Sequence, residues 1–178
     1  MKSKIELNVT VDDEQWTENT DFDAVKVAEE LRDLAFAYVA DACEHELLAL
    51  DKTYEVNVCL SNDAEVQRLN KEFRGKDKPT NVLSFACIDD DEFWDMLDKS
   101  ADMELGDIIL AFETLQREAD EKHITVYAHY CHLLVHGFLH ILGFDHQTDE
   151  EADEMESNNH PEHTTPAVAL LAFLASGD

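Results

Sequence analysis

Three things are scarce in this 178-residue sequence: paired cysteines, long apolar runs and positive charge. The cysteines are widely spaced and include no CxxC pair. This spacing argues against both a disulfide framework and a cysteine zinc site, and it favours a reduced, cytoplasmic location. We expect the four cysteines to be small core residues. They are Cys43, Cys59, Cys87 and Cys131.

The apolar runs are too short for a membrane span. The longest, residues 167–175, has nine residues, whereas a helix that crosses a bilayer needs about 20. The opening MKSKIELNV also contains no uninterrupted apolar stretch of the kind that a secretory signal has. We therefore expect a protein that neither spans a membrane nor is exported.

Positive charge is scarce overall but concentrated in one place. The chain has 13 basic and 41 acidic residues, which gives a formal net charge of -28. Most of its surface should therefore repel nucleic acid, and DNA is not an expected partner. Five of the 13 basic residues nevertheless fall within residues 68–78, which we call the basic segment. The overall acidity is typical of a solvated surface, whereas this exception indicates a site that attracts anions.

The hydrophobic pattern predicts a single domain of the α+β class, because the chain length suits one core. Alternating residues predict strands at 4–10 and 54–60, and two further strands are predicted at 81–87 and 106–112. Helical spacing predicts helices at 22–50, 61–73, 113–122 and 125–142. Together they favour a roughly four-stranded mixed sheet packed with helices. Residues 89–104, the acidic segment, hold eight acidic residues and one lysine, and we expect an exposed, mobile loop there.

The histidines of the stretch HGFLHILGFDH are spaced like the ligands of a metal site. His136 and His140 are four residues apart, so on a helix they share one face and can bind one metal ion. Gly143 can adopt a positive φ, end the helix and bring back His146 as a third nitrogen ligand. We predict a site for one zinc ion on a buried helix and the loop that follows it. Three protein ligands leave one zinc position open for a water molecule. Zinc lowers the pKa of such a water to about 7, so that it can act as a nucleophile in hydrolysis.

Neighbouring residues leave alternatives at this site. His132 lies one turn before His136 on the same face and could compete as a ligand, although we interpret it as a packing or supporting residue. Asp145 either orients a ligand through its other ring nitrogen or caps the turn. The histidine spacing is that of the metzincin zinc signature, but Gly137 stands where that signature has its general-base glutamate. This departure argues against an ordinary zinc peptidase.

The stretch FRGKDKPTNVLSF, residues 73–85, suits a phosphodiester substrate. Arg74 can hold two phosphate oxygens through parallel hydrogen bonds. Lys76 and Lys78 add positive charge on a loop that Pro79 stiffens. Taken alone, the loop is also compatible with a solvated basic turn. Next to a hydrolytic metal site in an otherwise acidic chain, an anion-binding role is favoured.

At these two motifs the sequence closely resembles the YbeY family of endoribonucleases. The stretches FRGKDKPTNVLSF, LGDIIL and HGFLHILGFDH occur in the family's order, and the similarity covers about residues 55–156. The resemblance implies that His136, His140 and His146 bind one zinc ion. It also implies that Arg74 and His136 are catalytic and that Arg74 contacts RNA. We therefore assign residues 1–156 to one catalytic domain and residues 157–178, which depart from the family pattern, to a divergent C-terminal tail.

The resemblance also implies a biological role. It suggests a zinc-dependent endoribonuclease that cuts single-stranded RNA, acts at the 3′ end of the small-subunit ribosomal RNA and takes part in ribosome quality control. Its partners would be ribosomal RNA and the small ribosomal subunit. The alternative is a ribosome-associated RNA-binding protein in which zinc is structural and nothing is cut. A fourth ligand on the metal, such as His132 or Asp145, would favour that alternative, because structural zinc sites usually have four protein ligands.

Overall fold

A computed structural model describes residues 1–144, in which strands and helices form one α+β unit with a four-stranded mixed sheet. This confirms the predicted fold class. Within these residues no helix is both long and apolar enough to cross a membrane. The elements are β1 (Lys4–Val11), α1 (Gln15–Glu18), α2 (Ala24–Cys43), β2 (Thr53–Ser61), α3 (Asp63–Arg74), β3 (Val82–Ala86), α4 (Asp91–Met96), β4 (Asp102–Ala111), α5 (Phe112–Glu121) and α6 (Val126–Ile141), with short 3-10 helices at Glu46–Ala49 and Cys87–Asp89.

The strands are ordered β1-β2-β4-β3, with β1, β2 and β4 parallel and β3 antiparallel to β4 at the edge. One irregularity interrupts the ladder between β2 and β4. Glu55 pairs with Glu104, but the next residue, Val56, pairs with Gly106. Leu105 is therefore an extra residue in β4, and its side chain is fully buried. Such a bulge bends the strand locally.

The sheet is covered differently on its two faces, because side chains alternate along each strand. One face carries the main core under α2 and α6, where Phe36 packs against Phe138 with ring centroids 5.6 Å apart. The other face carries a smaller cluster under α3, which includes Val66, Leu83 and Ile109. The edge strand β3 thus lies between α6 on one face and α3 on the other.

Two glycines allow α6 to lie very close to the sheet. A Cβ atom at Gly137 would lie 2.9 Å from Ile108 Cγ2. A Cβ atom at Gly106 would lie 2.6 Å from the Phe85 carbonyl oxygen and 2.7 Å from Ile141 Cγ2. Both approaches are too short for any side chain in a close-packed interior. Gly137 therefore lies on Ile108, and Ile141 lies on Gly106.

The acidic segment forms regular structure, so the prediction that residues 89–104 are a loop is wrong. Six of its residues form α4, and Phe93 is only 6% exposed and packs into the main core. Residues from Asp102 onward already belong to β4 and pair with β2. All eight acidic side chains are exposed. The charges therefore lie on the solvent side of an element that is anchored to the core by the buried side chain of Phe93.

Two further differences concern the first half of the chain. The helix predicted over 22–50 ends at Cys43, because Glu44 adopts the left-handed conformation with φ 48°. The short helix α1 has no periodic signal in the sequence. It places Trp16 in the core, where the side chain is 1% exposed and its Nε1 donates to the Ser61 carbonyl oxygen at 2.8 Å.

All four cysteines are free thiols, and they are half-buried at the margin of the core rather than fully inside it. Burial raises the pKa of each thiol above its ordinary value. The pKa reaches about 12 for Cys59 and about 11 for Cys87. These thiols therefore remain protonated at neutral pH, which disfavours both nucleophilic and metal-binding roles.

Candidate functional site

Helix α6 carries two of the predicted zinc ligands on one face. Thr125 caps its N-terminus by accepting a hydrogen bond from the Ala128 N–H at 3.0 Å. His132, His136 and His140 are half-buried, whereas all six residues between them are buried. A half-buried line of histidines, which we call the histidine stripe, therefore runs along the helix. The structure thus brings His136 and His140 to the same face.

The chain reverses direction immediately after the histidine stripe. Gly143 has φ 95°, and its N–H bonds the His140 carbonyl oxygen at 3.0 Å. The Phe144 N–H bonds the Leu139 carbonyl oxygen, also at 3.0 Å. This pair of bonds is the Schellman motif, which glycine at its left-handed position favours. The predicted left-handed turn at Gly143 is therefore present.

Two of the three predicted zinc ligands lie within the described residues, and their arrangement suits a metal ion. His136 and His140 offer imidazole nitrogens four residues apart on a half-buried face, which suits one zinc ion. Within residues 1–144, no group of three or more histidine, cysteine or acidic residues is arranged to hold a metal. A three-ligand site therefore needs a residue from beyond position 144. His146 and Asp145 lie outside the described residues, and their roles stay predictions.

His132 contacts a second polar group near the start of α6. Its ring lies against that of His129, with centroids 6.2 Å apart. His129 is 1% exposed, and its Nε2 lies 3.0 Å from Glu118 Oε1. Asn81 Nδ2 donates to the same carboxylate oxygen at 2.8 Å. Burial alone would raise the pKa of Glu118, but the hydrogen bonds from His129 and Asn81 outweigh burial and lower that pKa.

The hydrogen bonds among Asn81, Glu118 and His129 fix the position of the chain that follows the basic segment. Asn81 immediately precedes β3, so its bond to Glu118 ties the start of the edge strand to α5, and His129 ties α5 to α6. Sequence reasoning missed these residues. The partners are 37 and 11 residues apart in the chain, so no local motif marks them.

Arg74 is the last residue of α3 and reaches the edge strand. Gly75 ends the helix in the left-handed conformation with φ 68°. The Arg74 Nη2 donates to the Ser84 carbonyl oxygen at 3.0 Å, and its guanidinium lies over the Phe85 ring, 5.6 Å from the centroid. The residue is exposed. Its guanidinium is thus oriented by β3 and has further N–H donors with which to bind an anion.

Arg74 and the histidine stripe lie at the same level along β3, on opposite faces of the sheet. Gly137 packs on Ile108, and Ile108 pairs with Ser84 across the ladder. Ser84 in turn accepts the hydrogen bond from Arg74. Because His136 directly precedes Gly137, α3 and α6 bring Arg74 and His136 to one position along β3, from opposite faces of the sheet.

The carbonyl that Arg74 binds lies on the outer side of β3. The Asn81 carbonyl oxygen accepts from the Ala111 N–H, which places Asn81 at a position bonded to the β4 side. In an antiparallel ladder these positions alternate, so the polar backbone groups of Ser84 face outward. A peptide that added to this edge as a strand would compete with the guanidinium. The edge is therefore better suited to a ligand that binds the guanidinium itself.

The cations of the basic segment are not equally available to a ligand. Arg68 and Lys71 are paired with nearby carboxylates. Arg74 binds a neutral carbonyl, and the exposed side chains of Lys76 and Lys78 form no ion pair with any residue from 1 to 144. These last three residues therefore supply the positive charge that can attract a phosphate.

An acidic groove of about 530 Å³ lies at the other end of β3, between that strand, α4 and β4. Cys87 lines the groove. Burial is the main cause of its raised pKa, and the charges of Asp107 and Glu104 add to it. Nucleic acid is repelled here. The carboxylates of the acidic groove belong to Asp90, Glu92, Asp102, Glu104 and Asp107.

Comparison with known proteins identifies relatives along most of the chain. The family model described as Endoribonuclease YbeY matches residues 5–163. An Endoribonuclease YbeY of Paramagnetospirillum magneticum is 51% identical over 107 residues, which cover 60% of this chain and 64% of the relative. The Sphingopyxis alaskensis protein of the same name is 50% identical, with 68% of each chain covered. That of Allorhizobium ampelinum is 38% identical, with 86% of each chain covered.

The match thus spans less than two thirds of the first relative's length. A solution structure of a Thermotoga maritima protein is also similar, with a TM-score of 0.45 at 21% identity. That similarity covers 98% of this chain and 93% of the solved one.

Proposed function

The chain belongs to the YbeY family, and from this premise we propose that it is a metal-dependent endoribonuclease acting on ribosomal RNA. The relatives named above are called endoribonucleases. One observation carries the proposal beyond their names: Arg74 and His136 lie at the same level along the edge strand, as the contacts through Ser84 and Ile108 show. In this proposal an RNA strand that crosses the edge of β3 places one phosphate at Arg74 and reaches the histidine stripe on the other face of the sheet.

We propose that His136, His140 and His146 hold one zinc ion per chain. The first two share a half-buried helix face, and Gly143 ends α6 in a left-handed turn three residues before His146 in the sequence. When bound, zinc supplies Lewis acidity for hydrolysis of a phosphodiester.

Arg74 orients the phosphate in this proposal. A guanidinium fits two phosphate oxygens at once and offsets the negative charge that develops on them during attack. The bond to Ser84 and the contact with Phe85 restrict the side chain before RNA arrives, so less conformational entropy is lost on binding. Lys76 and Lys78 attract the RNA backbone from further away.

Two features of the structure disfavour a peptidase. Position 137, where the metzincin signature has its general-base glutamate, faces Ile108 at a distance that leaves no room for a side chain. The outward carbonyl of Ser84, to which a strand-like peptide would bond, already binds Arg74. A phosphodiester requires neither of these groups.

We propose small-subunit ribosomal RNA as the substrate, with maturation of its 3′ end and ribosome quality control in the cytoplasm as the cellular role. Family membership supports this choice. The charge distribution supports a confined contact with RNA, because the basic segment is a local exception on a chain of net charge -28. Most of the protein would face away from the RNA.

The test is cleavage of a structured ribosomal RNA fragment by the wild-type protein and by His140→Ala, purified in parallel, with a peptide panel as the counter-substrate. We expect the wild type to cut RNA but not peptides, and the variant to cut neither. Equal RNA cleavage by both proteins would remove the histidine stripe from the reaction. RNA binding without cleavage by either would favour a ribosome-associated binding protein with structural zinc.

A further inference from the structure

We propose that Phe73 is a stacking platform for an unpaired RNA base, next to the phosphate that Arg74 holds. This inference rests on the proposed RNA-binding function and deepens it, because it adds a contact to a base where the basic segment otherwise offers only contacts to the backbone. It also restricts the substrate to RNA whose bases are unpaired at this point.

The exposure of Phe73 is the first observation. Its side chain is 62% exposed, and no other large apolar side chain in residues 1–144 is more exposed. A single exposed apolar residue is common on protein surfaces. This ring, however, directly precedes Arg74 and lies within the basic segment. An aromatic ring among cations is the arrangement that binds single-stranded nucleic acid.

The ring is also held in place. Phe73 packs against Phe85 in a T-shaped contact, with centroids 5.5 Å apart and an interplanar angle of 66°. The Arg74 guanidinium lies over the same Phe85 ring. The aromatic platform and the phosphate-binding group are therefore fixed relative to each other by one residue of β3. A phenylalanine has only two side-chain torsions, so its ordering on binding costs little entropy.

Charge gives the RNA a direction across the edge. Asp107 pairs with Phe85 across the sheet and lines the acidic groove, so the potential turns negative beyond Phe85. Lys76 and Lys78 lie on the other side, in the loop after α3. RNA that places a base on Phe73 is therefore attracted by Arg74 and the two lysines and repelled from the acidic groove. A base in a duplex has both faces covered, so only an unpaired base can stack there.

The test compares Phe73→Leu, which removes the ring but keeps an apolar side chain, with Phe73→Trp, which keeps an aromatic face. Tyr127→Leu is the matched control, since Tyr127 is 47% exposed but lies on α6, outside the basic segment. The measured quantity is the Kd for a single-stranded RNA of about ten nucleotides, from fluorescence anisotropy with a phosphorothioate backbone that slows cleavage. Thermal unfolding of each variant verifies the fold.

We expect Phe73→Leu to weaken RNA binding about tenfold, and Phe73→Trp and Tyr127→Leu to bind like the wild type. Because no charge is lost, the slope of affinity against salt concentration should be the same for Phe73→Leu and the wild type. An RNA with one abasic position should bind the wild type more weakly when that position faces Phe73, while Phe73→Leu should not distinguish it.

An unchanged Kd for Phe73→Leu, or equal weakening by Tyr127→Leu, would overturn the inference. A loss of affinity accompanied by a shallower salt slope would also overturn it, because that pattern indicates lost charge contacts. Failure of the proposed function looks different. If the wild type binds RNA through Phe73 but does not cut it when zinc is supplied, the stacking platform stands and the nuclease does not.

Discussion

The two segments that flank the edge strand β3 differ in charge far more than in form. The basic segment, residues 68–78, has five basic and two acidic residues, whereas the acidic segment, residues 89–104, has eight acidic residues and one lysine. Each contains a helical stretch and one exposed aromatic residue, Phe73 at 62% and Trp94 at 44% exposure. An RNA strand therefore meets similar shapes at both ends of β3 but is attracted to only one.

The exposed aromatic residues of the two segments, Trp94 and Phe73, make different contacts. Trp94 donates its indole N–H to the Ile88 carbonyl oxygen at 2.8 Å and packs against Phe93, which is buried. The Trp94 ring thus helps to hold the acidic segment against the core. Phe73 packs only against Phe85 among the aromatic rings of residues 1–144 and lies beside Arg74. Local charge, rather than exposure, distinguishes the ring that we propose for RNA binding.

The largest effect is expected from replacing Arg74. Arg74→Ala should lower the single-turnover rate of RNA cleavage by about 100- to 1000-fold, the loss typical for removal of a charge-stabilising donor. Arg74→Lys should recover only part of the rate, because lysine lacks the planar guanidinium. Cleavage of labelled RNA on gels measures both. Full activity of Arg74→Ala would exclude this residue from the mechanism.

A smaller effect is expected from single lysines. Lys76→Ala and Lys78→Ala should each weaken RNA binding severalfold and reduce the slope of affinity against salt concentration by about 1. Lys99→Ala in the acidic segment removes the same charge from the other end of β3 and should change neither quantity. Titrations at several salt concentrations measure the slope. Equal losses of RNA affinity for Lys99→Ala and Lys76→Ala would contradict the proposed difference between the two segments.

Neutralising the acidic groove should act in the opposite direction. The double variant Asp102→Asn, Glu104→Gln removes two of its charges while keeping side-chain size. We expect RNA to bind up to about threefold more tightly at low salt, with the difference disappearing at high salt because charges at this distance are screened. Weaker binding by the variant would mean that the acidic groove contributes to RNA recognition.

The smallest effect concerns the thiol that lines the acidic groove. Burial and then the charge of Asp107 raise the pKa of Cys87 to about 11. Asp107→Asn removes a negative charge and so lowers this pKa, which increases the thiolate fraction at mildly alkaline pH and speeds alkylation by iodoacetamide. Peptide mass spectrometry follows each cysteine separately. Cys59, whose pKa is raised by burial and Asp12, is the internal control and should not change.

Much of the fold could be predicted from the sequence because its signals are local. The sequence pattern marked all four strands, β1 and β2 by alternation, and helical spacing marked α2, α3, α5 and α6. The helix and strand structure of the acidic segment was not predicted, because its high charge is typical of an exposed loop. The bulge at Leu105 was equally hidden, since it depends on the register between β2 and β4.

At the candidate site, too, the features that depend on local spacing could be predicted and those that depend on packing could not. The pairing of His136 with His140 and the turn at Gly143 follow from spacing within one stretch of chain, and both could be predicted. The contact of Arg74 with Ser84 could not, because it depends on where α3 ends relative to β3. The reason for Gly137 was also invisible, since only the packed helix reveals Ile108 beneath it.

The most direct test of the proposed site measures zinc content and RNA cleavage on the same preparations of wild type, His140→Ala and Arg74→Ala. We expect one zinc ion per chain and cleavage for the wild type, neither for His140→Ala, and zinc without efficient cleavage for Arg74→Ala. This pattern would separate the metal-binding role of α6 from the phosphate-binding role of α3. RNA cleavage at the wild-type rate by zinc-free His140→Ala would contradict it.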